Sequence, residues 1–168
     1  MESTLVELID LLTCRLMDEA EREDVIREIL AAPTELDWAD SEEHAYSIAL
    51  PMVLHRHTAA GETLDQVHDE LREMMGEEFP AYPAHVADSV EYFDWLDPLL
   101  REWSDEGGYD IVELDDTCSE ILHLFVVRRR DTARILEIAA DLGVRAMRPV
   151  DYFCGLRETR PAAGGEPV

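Results

Sequence analysis

The chain contains no lysine, and all 14 of its basic residues are arginine. Against them stand 39 acidic residues, so the formal charge is −25 and cationic surface is scarce. A nucleic-acid backbone is held by a basic face that displaces counterions, so this composition argues against nucleic acid as a partner. Cysteine is sparse as well. Cys14, Cys118 and Cys154 lie far apart, are odd in number and form no C-x-x-C pair, which excludes a disulfide framework and reads as reduced thiols. Long apolar runs are missing. The longest, Ser47 to Leu54, is far short of the roughly 18 residues that a membrane span needs. With no basic leader at Met1-Glu2-Ser3-Thr4, the expectation is a cytoplasmic protein without membrane contact.

What is present is an ordinary apolar share, 46% of 168 residues, which suits one domain. The acidity is uneven. Residues 1–120 hold 33 acids and six arginines, a net −27, whereas residues 121–168 hold six acids and eight arginines, a net +2. A proteome-wide bias toward acidic surfaces accounts for high charge but would spread it more evenly. The gradient speaks for a surface shaped to meet a basic partner, since charge of one sign steers association.

Helical grammar fills the first two-thirds. Thr4-Leu5-Val6-Glu7 has capping-box form, followed by Leu5, Leu8, Ile9, Leu12 and Leu16 at helical spacing. A second amphipathic stretch over 19–31 should end at Pro33. A third helix, capped by Asp40 or Ser41, is apolar nearly all round and should kink or split at Pro51. Ala59-Ala60-Gly61 reads as a turn, and Thr63-Leu64-Asp65-Gln66 as the capping box of a helix that stops at Gly76. After the extended Phe79-Pro80-Ala81-Tyr82-Pro83, helical spacing resumes at Ala84, with Asp97-Pro98 opening a separate short helix.

Gly107-Gly108 is the sharpest break, and β-branched and aromatic residues dominate beyond it. Tyr109–Leu114 and Glu120–Arg128 read as a hairpin, the second strand apolar on both faces. An Asp131-capped helix ending at Gly143 then leads to a third strand over Val144–Pro149, placed parallel to the second. The expected architecture is α+β: a single domain over 1–154, with a helical region 1–106 packed on a ββαβ unit 107–154 and its three-stranded mixed sheet. Residues 155–168 read as a flexible tail.

The chemistry-bearing residues divide into two groups. Trp38 in a loop with Asp37, Asp40, Glu42 and Glu43 is the kind of surface that receives an Arg or Lys from a partner. The helix dipole also favours acids there. The second group is Asp115, Asp116 and His123, which would serve as acids and imidazole of an active site between the helical region and the sheet. Asp at a turn is equally at home through local backbone bonds. Cys118, in the same loop, has no local base. No spacing of His, Cys or carboxylates matches a metal site, and no cofactor motif is present, so metal and cofactor are both expected to be none. His68 reads as lying on a polar face with Asp65, Asp69 and Arg72, and the C-terminal arginines as pairing internally with acids.

Asp37-Trp38, Asp94-Trp95, the Gly-Gly break, Tyr109-Asp110-Ile111-Val112-Glu113-Leu114-Asp115-Asp116, Leu124-Phe125-Val126-Val127 and the helix from Thr132 to Gly143 resemble a bacterial family of unknown function, number 6630. The resemblance implies a fold and a bacterial origin and brings no activity or catalytic residue. From the residues themselves, the expected function is a non-enzymatic interaction module, of immunity or inhibitor type, engaging a basic protein. An enzyme of unknown reaction and a nucleic-acid mimic are the alternatives. The oligomeric state is left open.

Overall fold

The strand Leu122–Arg128 (β3) is apolar toward both sides and organises the molecule. It lies at the centre of a sheet with Thr58–Gly61 (β1), Tyr109–Leu114 (β2) and Ala146–Met147 (β4), in the order β1-β3-β2-β4. The computed structural model describes residues 2–104, 106–116 and 118–159, the last helix beyond Phe153 chiefly by its backbone. Seven α-helices surround the sheet: Glu2–Leu12 (α1), Glu19–Glu35 (α2), Glu42–Val53 (α3), Leu64–Met75 (α4), Ser89–Glu102 (α5), Thr132–Asp141 (α6) and Pro149–Thr159 (α7).

Alternation along the strands divides the interior in two. Phe125 and Val127, with Val112 and Leu114, face one cluster built with α1, α3 and α6, joined by Ile29 of α2. Leu124 and Val126, with Ile111, face a second cluster built with α4 and α5 and rich in aromatic rings. The double-sided burial expected for this strand is therefore present, with helices from the N-terminal region on both faces.

The sheet departs from expectation in number and in sense. It has four strands, and every pairing is antiparallel: β1 with β3 (Thr58 opposite Phe125), β2 with β3 (Val112 opposite Phe125) and β2 with β4 (Glu113 opposite Met147). β4 does run in the same sense as β3, because both oppose β2. It docks on the far edge of β2 and so makes no parallel pair. The missed strand is Ala59-Ala60-Gly61, whose small residues have weak strand preference. They are small because α4 crosses closely: a Cβ on Gly61 would lie 2.9 Å from the Gln66 Cβ.

Proline ends fewer helices than expected. Pro33 and Pro51 sit in the last turns of α2 and α3, and each helix runs only two residues beyond its proline. Pro98 lies inside a continuous α5, held by buried Phe93, Leu96 and Leu100. Asp97 is accordingly no cap. α1 begins at Glu2, so Thr4 lies within it instead of capping it. Thr63 does precede α4, without a side-chain cap bond, and Gly76 closes it. Gly108, at φ +78°, approaches the Arg101 carbonyl so closely that a Cβ would stand 2.1 Å from its oxygen. α7 carries helix through 155–159, the start of the expected tail, and residues 160–168 lie outside the described residues.

Candidate functional site

The N-terminus of α3 carries the first group of candidate residues and, through His44, touches the loop that carries Asp115 and Asp116. Ser41 caps this helix, its hydroxyl accepting the His44 N–H at 3.2 Å. The cap fixes the preceding loop, so Asp37, Trp38 and Asp40 stand exposed, with Glu42 and Glu43 in the first helical turn. Trp38 is 59% exposed and meets the His44 ring edge-on, 6.2 Å between centroids. The Ser41 side chain and the backbone amide of Glu43 hold the Glu43 carboxyl below its usual range. Beside it, Glu42 and Glu43 join Thr4, Tyr46, Asp141 and Leu142 around a groove of about 320 Å³. Among the described residues, three carboxylates and no arginine line that groove.

The β2–β3 loop meets the same face. His44 Nε2 lies 3.2 Å from the Cys118 Sγ, a contact across 74 residues of sequence. His44 Nδ1 accepts the Asp40 N–H at 3.2 Å. The neutral ring therefore carries its proton on Nε2 and donates it to sulfur. Cys118 is exposed. The imidazole absent from the local sequence is supplied by α3, as a hydrogen-bond donor to the sulfur.

Asp116 is occupied by its own turn. Its Oδ1 accepts the N–H groups of Cys118 and Ser119, both at 3.0 Å, and its Oδ2 accepts the Ser119 hydroxyl at 2.8 Å. His123 Nε2 lies 3.3 Å from the same Oδ2. Burial alone would raise this carboxyl, but the two N–H groups, the Ser119 hydroxyl and His123 outweigh it and hold it below the usual range. His123 Nδ1 is buried with no hydrogen-bond partner. Asp115 lies 3.6 Å from Arg145. The structure thus joins Asp116 with His123 and places Asp115 in an ion pair.

The C-terminal arginines are largely engaged with acids. Arg148 forks onto buried Asp110 at 2.7 and 3.2 Å and reaches Asp97 and Asp151. Arg129 holds Asp97 at 2.8 Å, and Arg134 grips Glu7 with two bonds of 2.8 Å. Burial would raise the Asp97 carboxyl, yet the arginines around it, Arg129 foremost, bring it below the usual range. These cations neutralise specific acids and leave the α3 face untouched.

His68 corrects its sequence reading. It has no exposed surface and lies between the Tyr92 hydroxyl and the Pro80 carbonyl, each at 2.9 Å, surrounded by Phe79, Tyr82 and Trp95. It is a packing residue. Among the described residues no three His, Cys, Asp or Glu side chains converge as metal ligands would, and no helix is long and apolar enough to cross a membrane. Comparison with protein-family models, with curated proteins and with solved structures finds no match, so the arrangement of the site itself must carry the functional reading.

Proposed function

We propose that this protein is an interaction module whose acidic α3 face receives a basic partner. The observation that carries the reading is the groove of Glu42, Glu43 and Asp141 beside exposed Trp38, with no arginine among the described residues that line it. A groove of about 320 Å³ accommodates an arginine or lysine side chain, which three carboxylates attract, and Trp38 offers an aromatic surface to a guanidinium. Asp37 and Asp40 extend the negative field that steers the encounter. The resemblance to a family of unknown function is compatible with this reading and adds no activity to it.

The test is binding of a fluorescent oligo-arginine peptide, measured by anisotropy across a salt series. Affinity should fall steeply from about 0.05 to about 0.5 M salt, as the screening length contracts from over 10 Å to a few ångströms. The triple variant E42Q/E43Q/D141N should lose roughly tenfold in affinity, and Trp38→Ala several-fold, on the scale of a lost interface anchor. The control E23Q/E28Q/E35Q removes the same charge from exposed positions of α2. Equal loss in both triple variants would reject the groove as the docking point.

A further inference from the structure

Cys118 differs from Cys14 in exposure and in what its sulfur meets. Cys14 is buried, its Sγ–H donates to the Val126 carbonyl at 3.4 Å, and burial pushes its thiol up. Cys118 is exposed, and its sulfur faces the Nε2–H of His44 at 3.2 Å. Its own N–H is tied to Asp116, which fixes the position of the residue in the loop. Two segments meet at this sulfur, the first turn of α3 through His44 and the β2–β3 loop, and the Trp38–Ser41 loop packs against His44. An imidazole N–H held against a sulfur by a third group offers that sulfur a fixed hydrogen-bond donor. Here the third group is the Asp40 N–H, which holds the proton on the nitrogen facing sulfur.

The surroundings set the class of reagent. Asp37, Asp40, Glu42, Glu43 and Glu120 are exposed on the two segments that carry His44 and Cys118. Their field repels anionic electrophiles and concentrates cationic ones. We infer that Cys118 is a covalent modification site of this protein, forming mixed disulfides selectively with cationic disulfides. The Cys118 sulfur attacks one sulfur of R–S–S–R, whose S–S bond breaks as the Cys118–S–S–R bond forms. The leaving R–S⁻ takes up a proton, equivalent to the one the thiol released to solvent. Cys118 is oxidised, and the reagent is reduced to one equivalent of R–SH. The surrounding acids disfavour negative charge on the attacking sulfur, and the N–H that His44 directs at it offsets part of that effect. The inference stands on this contact and this charge whether or not a basic protein docks in the neighbouring groove.

The experiment follows modification of the full-length protein by cystamine, a dication, and by 3,3′-dithiodipropionate, a dianion. Peptide mass mapping separates Cys118 from Cys14 and Cys154. Each rate is divided by that of the same disulfide with N-acetylcysteine amide, which removes the intrinsic difference between the reagents. At about 10 mM salt the normalised rate for cystamine should exceed that for the dianion by about tenfold or more, a gap that closes near 0.5 M salt. His44→Gln should slow both reagents several-fold while leaving the charge preference in place. Equal normalised rates at low salt would overturn the inference, as would faster labelling of Cys14 or an unchanged rate in a folded His44→Gln variant. The salt comparison uses the unmodified sequence and so does not depend on the variant folding.

Discussion

His68 has both ring nitrogens committed, one to the Tyr92 hydroxyl and one to the Pro80 carbonyl. Burial pulls its pKa below the ordinary imidazole value of about 6.5, and His57 is pulled the same way by burial. The native state therefore favours the neutral rings, and the unfolded chain binds more protons below that value. Stability should be fully present above about pH 6.5 and decline as pH falls through the lower, folded-state values. Urea unfolding between about pH 7.5 and 5 should show this slope, and His68→Asn should reduce it. Asp97 and Asp116, both held low by their partners, lose their contribution only at still lower pH, below the ordinary carboxylate range. At this same scale the sequence was half legible. The acids around Trp38 announce themselves by composition. The bond from His44 to Cys118 joins residues with no shared motif, and only the packing of α3 beside the hairpin creates it. His68 misled for a related reason: its sequence neighbours are charged, but those neighbours point outward while its own ring turns into the α4–α5 interface.

The elements are locked by a few contacts whose loss is measurable. Gly108 meets the Arg101 carbonyl at a left-handed backbone angle. Gly108→Ala would add both strain and a backbone clash, and should cost more than about 2 kcal/mol in chemical denaturation. Arg148 ties the start of α7 to Asp110 on β2, whose side chain is 4% exposed. Truncating it in Arg148→Ala leaves Asp110 with the Thr132 hydroxyl, the Ile111 N–H and Arg129 at 4.0 Å, and should cost about 2–3 kcal/mol, short of the loss for a fully stranded buried charge. The double variant D110L/R148M should be much less harmed than the two single changes together imply, because no buried charge is stranded. Helices α1 to α6, the hairpin and the α6–β4 order were readable from periodicity and turn residues, with α5 divided at Pro98, whereas α7 was read as a strand end and a tail. What escaped was non-local. β1 exists because β3 offers it an edge, and its Ala-Ala-Gly composition answers to the approach of α4. Pro98 looked like a helix start, but the burial of three side chains on the same face of α5 outweighs the one hydrogen bond that proline removes.

Across the whole molecule, the charge gradient resolves into a division of labour between two kinds of acid. Asp97, Asp110, Glu7 and Asp10 are paired with arginines and help fix the packing of elements. The exposed acids of the α3 face repel one another. Added salt should therefore raise the thermal midpoint of the protein by a few degrees between about 0.01 and 0.5 M, since screening relieves the repulsion more than it weakens partly buried pairs. A midpoint that falls with salt would mean that the ion pairs outweigh the repulsion. The two-sided sheet has a further consequence, an optical one. Trp95 and Trp103 both pack in the α4–α5 layer, while the opposite layer contains no tryptophan in its core. Trp38 stands alone on the surface of that other side. Blue-shifted, quencher-resistant emission thus reports the integrity of one layer, and acrylamide-quenchable emission reports occupancy of the acidic face. A single fluorescence spectrum reads structure and binding from opposite sides of the same sheet.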